Sequence, residues 1–145
     1  MLKALKLLSR KKRTISEIRG KLFERYSDYA EDVEKVIKRL IEMRYLDDKA
    51  YVEAFTRDRV KFRPRGKRIV ALELRKKGID STTIQNGISG LDIDEFDIAC
   101  TIFEQYVKKS SFKKAKNPKA SMLRHIASRG IPFSIALRVI SERLR

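Results

Sequence analysis

The sequence predicts an all-α protein built as three tandem three-helix repeats that form an elongated, curved array, and three observations lead there. Apolar residues recur at helical spacing along almost the whole chain. Alternating apolar and polar runs bounded by hairpin residues, the mark of strands, are missing from the sequence. One pattern also returns at a spacing of 52 residues: Ile18, Val70 and Met122 correspond, as do Leu22, Leu74 and Ile126, then Arg25, Lys77 and Arg129, and finally Val36, Ile88 and Ile140. A fixed period of this length marks a tandem supersecondary unit whose members bury their apolar faces on one another. Each copy ends in a basic residue and a turn at Tyr26, Gly78 or Gly130, and glycine at such a turn suits a left-handed helix cap.

The repeats are expected at 1–46, 47–91 and 92–145. Leu2, Leu5 and Leu8 begin a first helix, and Thr14-Ile15-Ser16-Glu17 reads as a capping box opening a second that reaches Arg25. A third is expected from about Tyr29 to Tyr45, with Val33, Val36, Ile37, Leu40 and Ile41 as its apolar stripe. Asp47 caps a fourth, carrying Tyr51, Val52 and Phe55, and the turn Arg63-Pro64-Arg65-Gly66 separates it from a fifth ending at Gly78. Asp80 or Ser81 caps a short sixth, in which Gly87 and Gly90 predict weakness and a site of bending. Asp92 starts the seventh, Asn117 and Pro118 open the eighth, and Pro132 opens the ninth at its first position.

Thirty-five Lys and Arg against 19 Asp and Glu leave a formal charge of +16, far above what solubility requires. Surface ion pairing consumes both signs equally, so the surplus points to a polyanionic partner such as nucleic acid. Cys100 is the chain's one cysteine, which excludes an intrachain disulfide and a cysteine zinc cluster. The apolar start is interrupted by Lys3 and Lys6, and its basic cluster follows rather than precedes it, unlike a signal peptide. A cytoplasmic protein that engages no membrane is expected.

The densest basic cluster is Arg57, Arg59, Lys61, Arg63, Arg65, Lys67 and Arg68, with Asp58 the single acid among them. Planar guanidinium forks suit phosphate, and glycine at 66 is expected to let the backbone approach it. Phe62 lies inside this cluster and Phe112 inside another, the arrangement of a base-stacking residue among cations. Lys76 and Lys77, at the end of the next helix, extend the expected contact surface. Secondary patches are Arg10, Lys11, Lys12 and Arg13, and a lysine-rich loop with Lys108, Lys109, Lys113, Lys114, Lys116 and Lys119. The acids Asp92, Asp94, Glu95 and Asp97 read as helix caps rather than magnesium ligands. His125, the single histidine, reads as a partly exposed helix residue rather than a general base. No nucleophile elbow or phosphate-binding glycine loop is present, so neither catalysis, a metal nor a cofactor is expected.

The run Tyr45, Leu46, Asp47, Asp48, Tyr51, Val52 and Phe55, followed by Gly66, Ile69, Glu73, Leu74, Lys77, Gly78 and Ile79, resembles the RecX family. The match is closest in the middle repeat, and the first repeat departs from it by carrying Tyr26 where glycine is expected. The resemblance implies a bacterial regulator of the RecA recombinase acting in homologous recombination and DNA repair. Such a protein binds the RecA filament on single-stranded DNA, with double-stranded DNA a further possible ligand, and opposes filament growth or activity as a monomer. The alternative reading is a general DNA- or RNA-binding helical module that acts independently of RecA. That reading needs a recognition helix, for which only Gln85, Asn86 and scattered arginines offer base-reading side chains.

Overall fold

The computed structural model describes residues 1–144, and among them all regular structure is helical. The elements are α1 (Leu2–Arg10), α2 (Ile15–Arg25), a 3-10 turn (Ser27–Tyr29), α3 (Ala30–Glu42), α4 (Asp48–Phe62), α5 (Lys67–Lys76), α6 (Ser81–Ser89), α7 (Glu95–Val107), α8 (Ser110–Lys113), α9 (Pro118–Ser128) and α10 (Phe133–Arg143). The lysine-rich segment expected to be a plain loop contains α8. Phe112 explains the extra turn: it is half-buried and packs against Tyr106 at a ring distance of 5.5 Å.

The chain condenses into two compact units. One comprises Met1–Phe55 and Glu73–Gly90, the other Thr56–Leu72 and the segment from Leu91 onward, so α4 and α5 each contribute to both. The first unit centres on Ala4, Leu7, Ile18, Leu22, Val33, Ile37, Leu40 and Leu46. The second centres on α7, α9 and α10, with Ile102, Met122, Ile126 and Val139 among its most buried side chains. Each such side chain contributes about 1.5–3 kcal/mol by leaving water.

Two expected apolar faces are met in part. In α1 the buried residues are Ala4 and Leu7, while Leu2 is 85% exposed, because the face at i and i+3 that meets the core begins two residues later. In α3, Val33, Ile37 and Leu40 are buried and Ile41 faces outward.

The helix ends follow local chemistry. Thr14 and Glu17 form the capping box of α2, Asp80 caps α6, and Asn117 caps α9 ahead of Pro118. Asp47 accepts a hydrogen bond from the Ala50 amide and starts α4. Asp94, not Asp92, caps α7, its carboxylate accepting from Phe96 N at 2.9 Å. Pro132 is the cap of α10 rather than its first residue. Gly78 and Gly130 both have φ of +87°, whereas Tyr26 ends α2 at −124°, so the first repeat makes its turn without the left-handed residue. Arg44 takes that conformation instead, after α3, at φ 61°; the Arg44 amide bonds Ile41 O and the Tyr45 amide bonds Leu40 O, as in a Schellman cap.

Gly87 sits where two helices press together. It is buried, and a Cβ there would lie 2.6 Å from a Val52 methyl, so its missing side chain lets α6 approach α4 closely.

The 52-residue period reappears as a joint built twice, once in each unit. In the first unit Thr14 Oγ1 donates to Lys77 O at 2.9 Å while accepting from Glu17 N, and Asp48 accepts from Ile15 N at 2.9 Å. In the second, Gly66 N donates to Arg129 O at 2.8 Å, and Glu95 accepts from Lys67 N at 3.3 Å. Thr14 and Gly66, Ile15 and Lys67, Lys77 and Arg129, and Gly78 and Gly130 are each 52 residues apart. In both joints the start of one helix meets a turn carbonyl and an early acid of the following repeat. The free amides of a helix start are thereby satisfied across repeats. Burial pushes the Asp48 carboxyl above its ordinary range, and the Ile15 amide opposes that shift by favouring the charged form.

Candidate nucleic-acid interface

Pro64 ends the preceding helix, because the residue before a proline is driven out of the helical region. The last turn of α4 is tied off by Arg63 N on Arg59 O at 3.0 Å and by the Arg59 guanidinium on Arg63 O at 3.2 Å. Pro64 and Gly66 are buried, and Arg65 bonds Pro64 O at 2.8 Å. From this frame Arg57, Lys61, Phe62, Arg63 and Arg68 project as exposed side chains, whereas Arg59, Arg65 and Lys67 are half-buried. Lys61 Nζ stands 5.2 Å from the centre of the Phe62 ring, which is 67% exposed.

Gly66 has a different task from the one its sequence suggests. A Cβ there would lie 2.1 Å from Gly130 O, so the close approach it permits is to the backbone of the next repeat and not to a ligand. The consequence is chemical as well as mechanical. Arg65 precedes Gly66 and Arg129 precedes Gly130, so the glycine contact sets these two arginines on adjoining turns.

They line a cleft of about 210 Å³ with Phe62, Arg63, Tyr106, Lys109 and His125. His125 lies flat on Tyr106, ring centres 3.7 Å apart and planes 3° from parallel, and the Tyr106 hydroxyl pairs with Ser121 Oγ at 2.9 Å. Burial, and then the positive charges of Arg129 and Arg65, push the His125 imidazole down to about 4. Hydrogen bonding to Ser121 and Ser111 lowers the Tyr106 phenol. The site at neutral pH is therefore a neutral aromatic pair walled by cations.

The other predicted residues separate. Lys113, Lys114 and Lys116 are exposed around α8, and Lys109 is the member of that cluster that reaches the cleft. Phe112 is taken up by packing on Tyr106 and the core and is not free to stack a base. Lys76 and Lys77 belong to the first unit, where Lys77 Nζ lies 6.0 and 5.7 Å from the ring centres of Tyr51 and Phe55. Arg10, Lys11 and Lys12 are exposed in that unit. Arg13 is half-buried, with an Nε that finds no partner. Lys12, Arg13 and Arg44 line a second cleft of about 260 Å³ there, with Asp47 also on its wall. Tyr106, His125, Lys109 and Arg129 escaped sequence reasoning as a group, since they come from separate helices and turns that only folding brings to one cleft. The signal that could have found them is the period itself, which pairs Arg65-Gly66 with the Arg129-Gly130 turn one repeat later.

Among the described residues no helix is long and apolar enough to cross a membrane. The caps Asp94 and Glu95 spend their carboxylates on amides of Phe96 and Lys67.

Fold and surface together define an all-helical repeat protein that gathers basic side chains around repeat joints. A family model described as RecX, second three-helix domain, matches residues 47–88. The regulatory protein RecX of Mycobacterium sp. (strain JLS) is 33% identical over 97% of this chain and 79% of its own length. That of Prosthecochloris aestuarii is 28% identical over 98% and 91%. The crystal structure of RecX from Lactobacillus salivarius superposes with a TM-score of 0.80 at 28% identity, covering 96% of this chain and 90% of that one. The chain belongs to the RecX family.

Proposed function

We propose that this protein regulates the RecA recombinase by binding the RecA filament on single-stranded DNA and opposing its growth or activity. What supports this reading, beyond membership in a family of regulatory proteins, is the run of exposed cations Arg57, Lys61, Arg63 and Arg68 around the second joint. Arg57 and Lys61 are four residues apart on one helix, where like charges cost about 0.2–0.5 kcal/mol and an anionic partner would relieve the repulsion. A regulator of this kind needs no catalytic group. It shifts assembly by binding one state of the filament better than another, and a preference of about 1.4 kcal/mol already changes the ratio tenfold. In this proposal the segments 1–46, 47–91 and 92–145 are the repeats that share the contact, and the protein acts as a monomer in the cytoplasm.

Reversing Arg57, Lys61, Arg63 and Arg68 to glutamate tests it, because these four side chains are exposed and their loss leaves the joint intact. The variant is expected to keep its circular dichroism spectrum and melting temperature but no longer inhibit ATP hydrolysis by RecA on single-stranded DNA. Undiminished inhibition would refute the assignment. Salt dependence then tells whether the cations meet DNA: each phosphate contact on a single strand adds about 0.7 to the slope of log affinity against log salt.

A further inference from the structure

We propose that the cleft between the Arg65-Gly66 and Arg129-Gly130 turns binds one phosphodiester group of a nucleic-acid strand, with a flanking base stacked on Phe62. This rests on the nucleic-acid part of the function proposed above and gives it an address.

Four cationic side chains, Arg63, Arg65, Lys109 and Arg129, line a space of about 210 Å³, and the other titratable groups on its wall, Tyr106 and His125, are uncharged at neutral pH. That separates it from the cleft of the first unit, where the Asp47 carboxylate shares the wall with Lys12, Arg13 and Arg44 and offsets part of their charge. Two of these cations, Arg65 and Arg129, stand on turns that a backbone hydrogen bond ties together. Gly66 N on Arg129 O fixes the two turns, so the site exists before any ligand arrives and little ordering entropy opposes binding. Guanidinium forks match the paired oxygens of a phosphodiester. Phe62, which lines the cleft and is 67% exposed, offers a ring face to a base next to that phosphate. An acidic side chain would satisfy the cations but leave Phe62 without a partner.

His125 gives a direct readout, since it is the chain's single histidine and its ring protons give one set of resonances. An anion seated between Arg129 and Arg65 offsets the two charges that add to burial in lowering its midpoint, and should raise that midpoint by about 1 pH unit. The experiment is a proton NMR titration of the full chain with pH, alone and with one of three probes: inorganic phosphate, the dinucleotide thymidylyl-thymidine, or a Glu-Glu dipeptide. Thymidylyl-thymidine is expected to raise the midpoint at the lowest concentration, phosphate at a higher one, and the dipeptide least. Phe62→Ala should remove the advantage of the dinucleotide over phosphate. Arg129→Gln keeps the carbonyl that holds Gly66, and should raise the midpoint of the free protein while abolishing the response.

An unmoved midpoint with thymidylyl-thymidine, or an Arg129→Gln variant that responds like the parent, overturns the proposal. So does equal response to free phosphate, which would make this a site for small phosphates. Preference for the dipeptide overturns it in favour of an acidic protein surface. RecA is absent from this titration, so its failure leaves the filament reading to stand or fall on the charge-reversal variant, and the converse holds.

Discussion

Gly66 shows how much one missing methyl group can matter. Its Cβ would sit 2.1 Å from a backbone oxygen that belongs to the Gly130 turn, and a main-chain atom cannot swing aside as the tip of a lysine could. Gly66→Ala is therefore expected to cost at least about 1–3 kcal/mol by overpacking, read as a lower urea midpoint. Gly20→Ala is the control, because a Cβ at 20 meets nothing within 4 Å and position 20 lies within α2, where alanine is favoured by about 1 kcal/mol. Sequence reasoning placed Gly66 in a turn beside arginines but gave its small size to a ligand. The turn was legible from Pro64 and the glycine. The atom that comes close was not, because it lies 64 residues away and only folding brings it there.

At the scale of the elements, capping was the most legible feature, since it depends on residues three apart. The Thr14 and Glu17 box, Asp47, Asp80 and Asn117 all stand where the chain places them. Helix faces were harder to read in short or evenly apolar segments. In α1 the three leucines at spacing three mark the helix, yet Ala4 and Leu7 are its buried residues, with Leu5 and Leu8 packed at the edge of the core. The additional helix, α8, was hidden because Ser110, Phe112 and Lys113 carry no helical signal and owe their turn to the packing of Phe112 on Tyr106. Thr14 makes an element-scale test. It is completely buried, and its hydroxyl both caps α2 and donates to Lys77 O. Thr14→Val keeps the shape, loses the cap and leaves the half-buried Lys77 carbonyl without this partner. A loss of about 2–3 kcal/mol is expected in denaturant unfolding, more than the roughly 1 kcal/mol of a cap removed alone.

For the molecule as a whole, the charge surplus was the clearest message of the composition, while the site that gathers it lay beyond reach. The fold class followed from periodicity and the family from the middle repeat. The cleft joins residues of α4, α7 and α9 and of two turns, a conjunction that no local pattern encodes. Acid stability is a property of this scale. The folded His125 midpoint, near 4, lies below the ordinary histidine value, so between about 6.5 and 4 the unfolded chain binds the extra proton. Stability from this group is complete above that window and declines as pH falls through it. Differential scanning calorimetry from pH 7 to pH 5 should show a falling melting temperature. His125→Phe, which keeps a ring on Tyr106 but takes up no proton, should flatten the curve, and an equally steep fall in that variant would show that another group is responsible.

The joint between Gly66 and Arg129 is made by an amide and a carbonyl, groups that every residue type except proline supplies in full. The coupling is thus indifferent to which side chain stands at 65 or 129, provided the glycines beside them are kept. Evolution, or an engineer, can rewrite the electrical character of the crevice one letter at a time without loosening the hinge-pin that forms it.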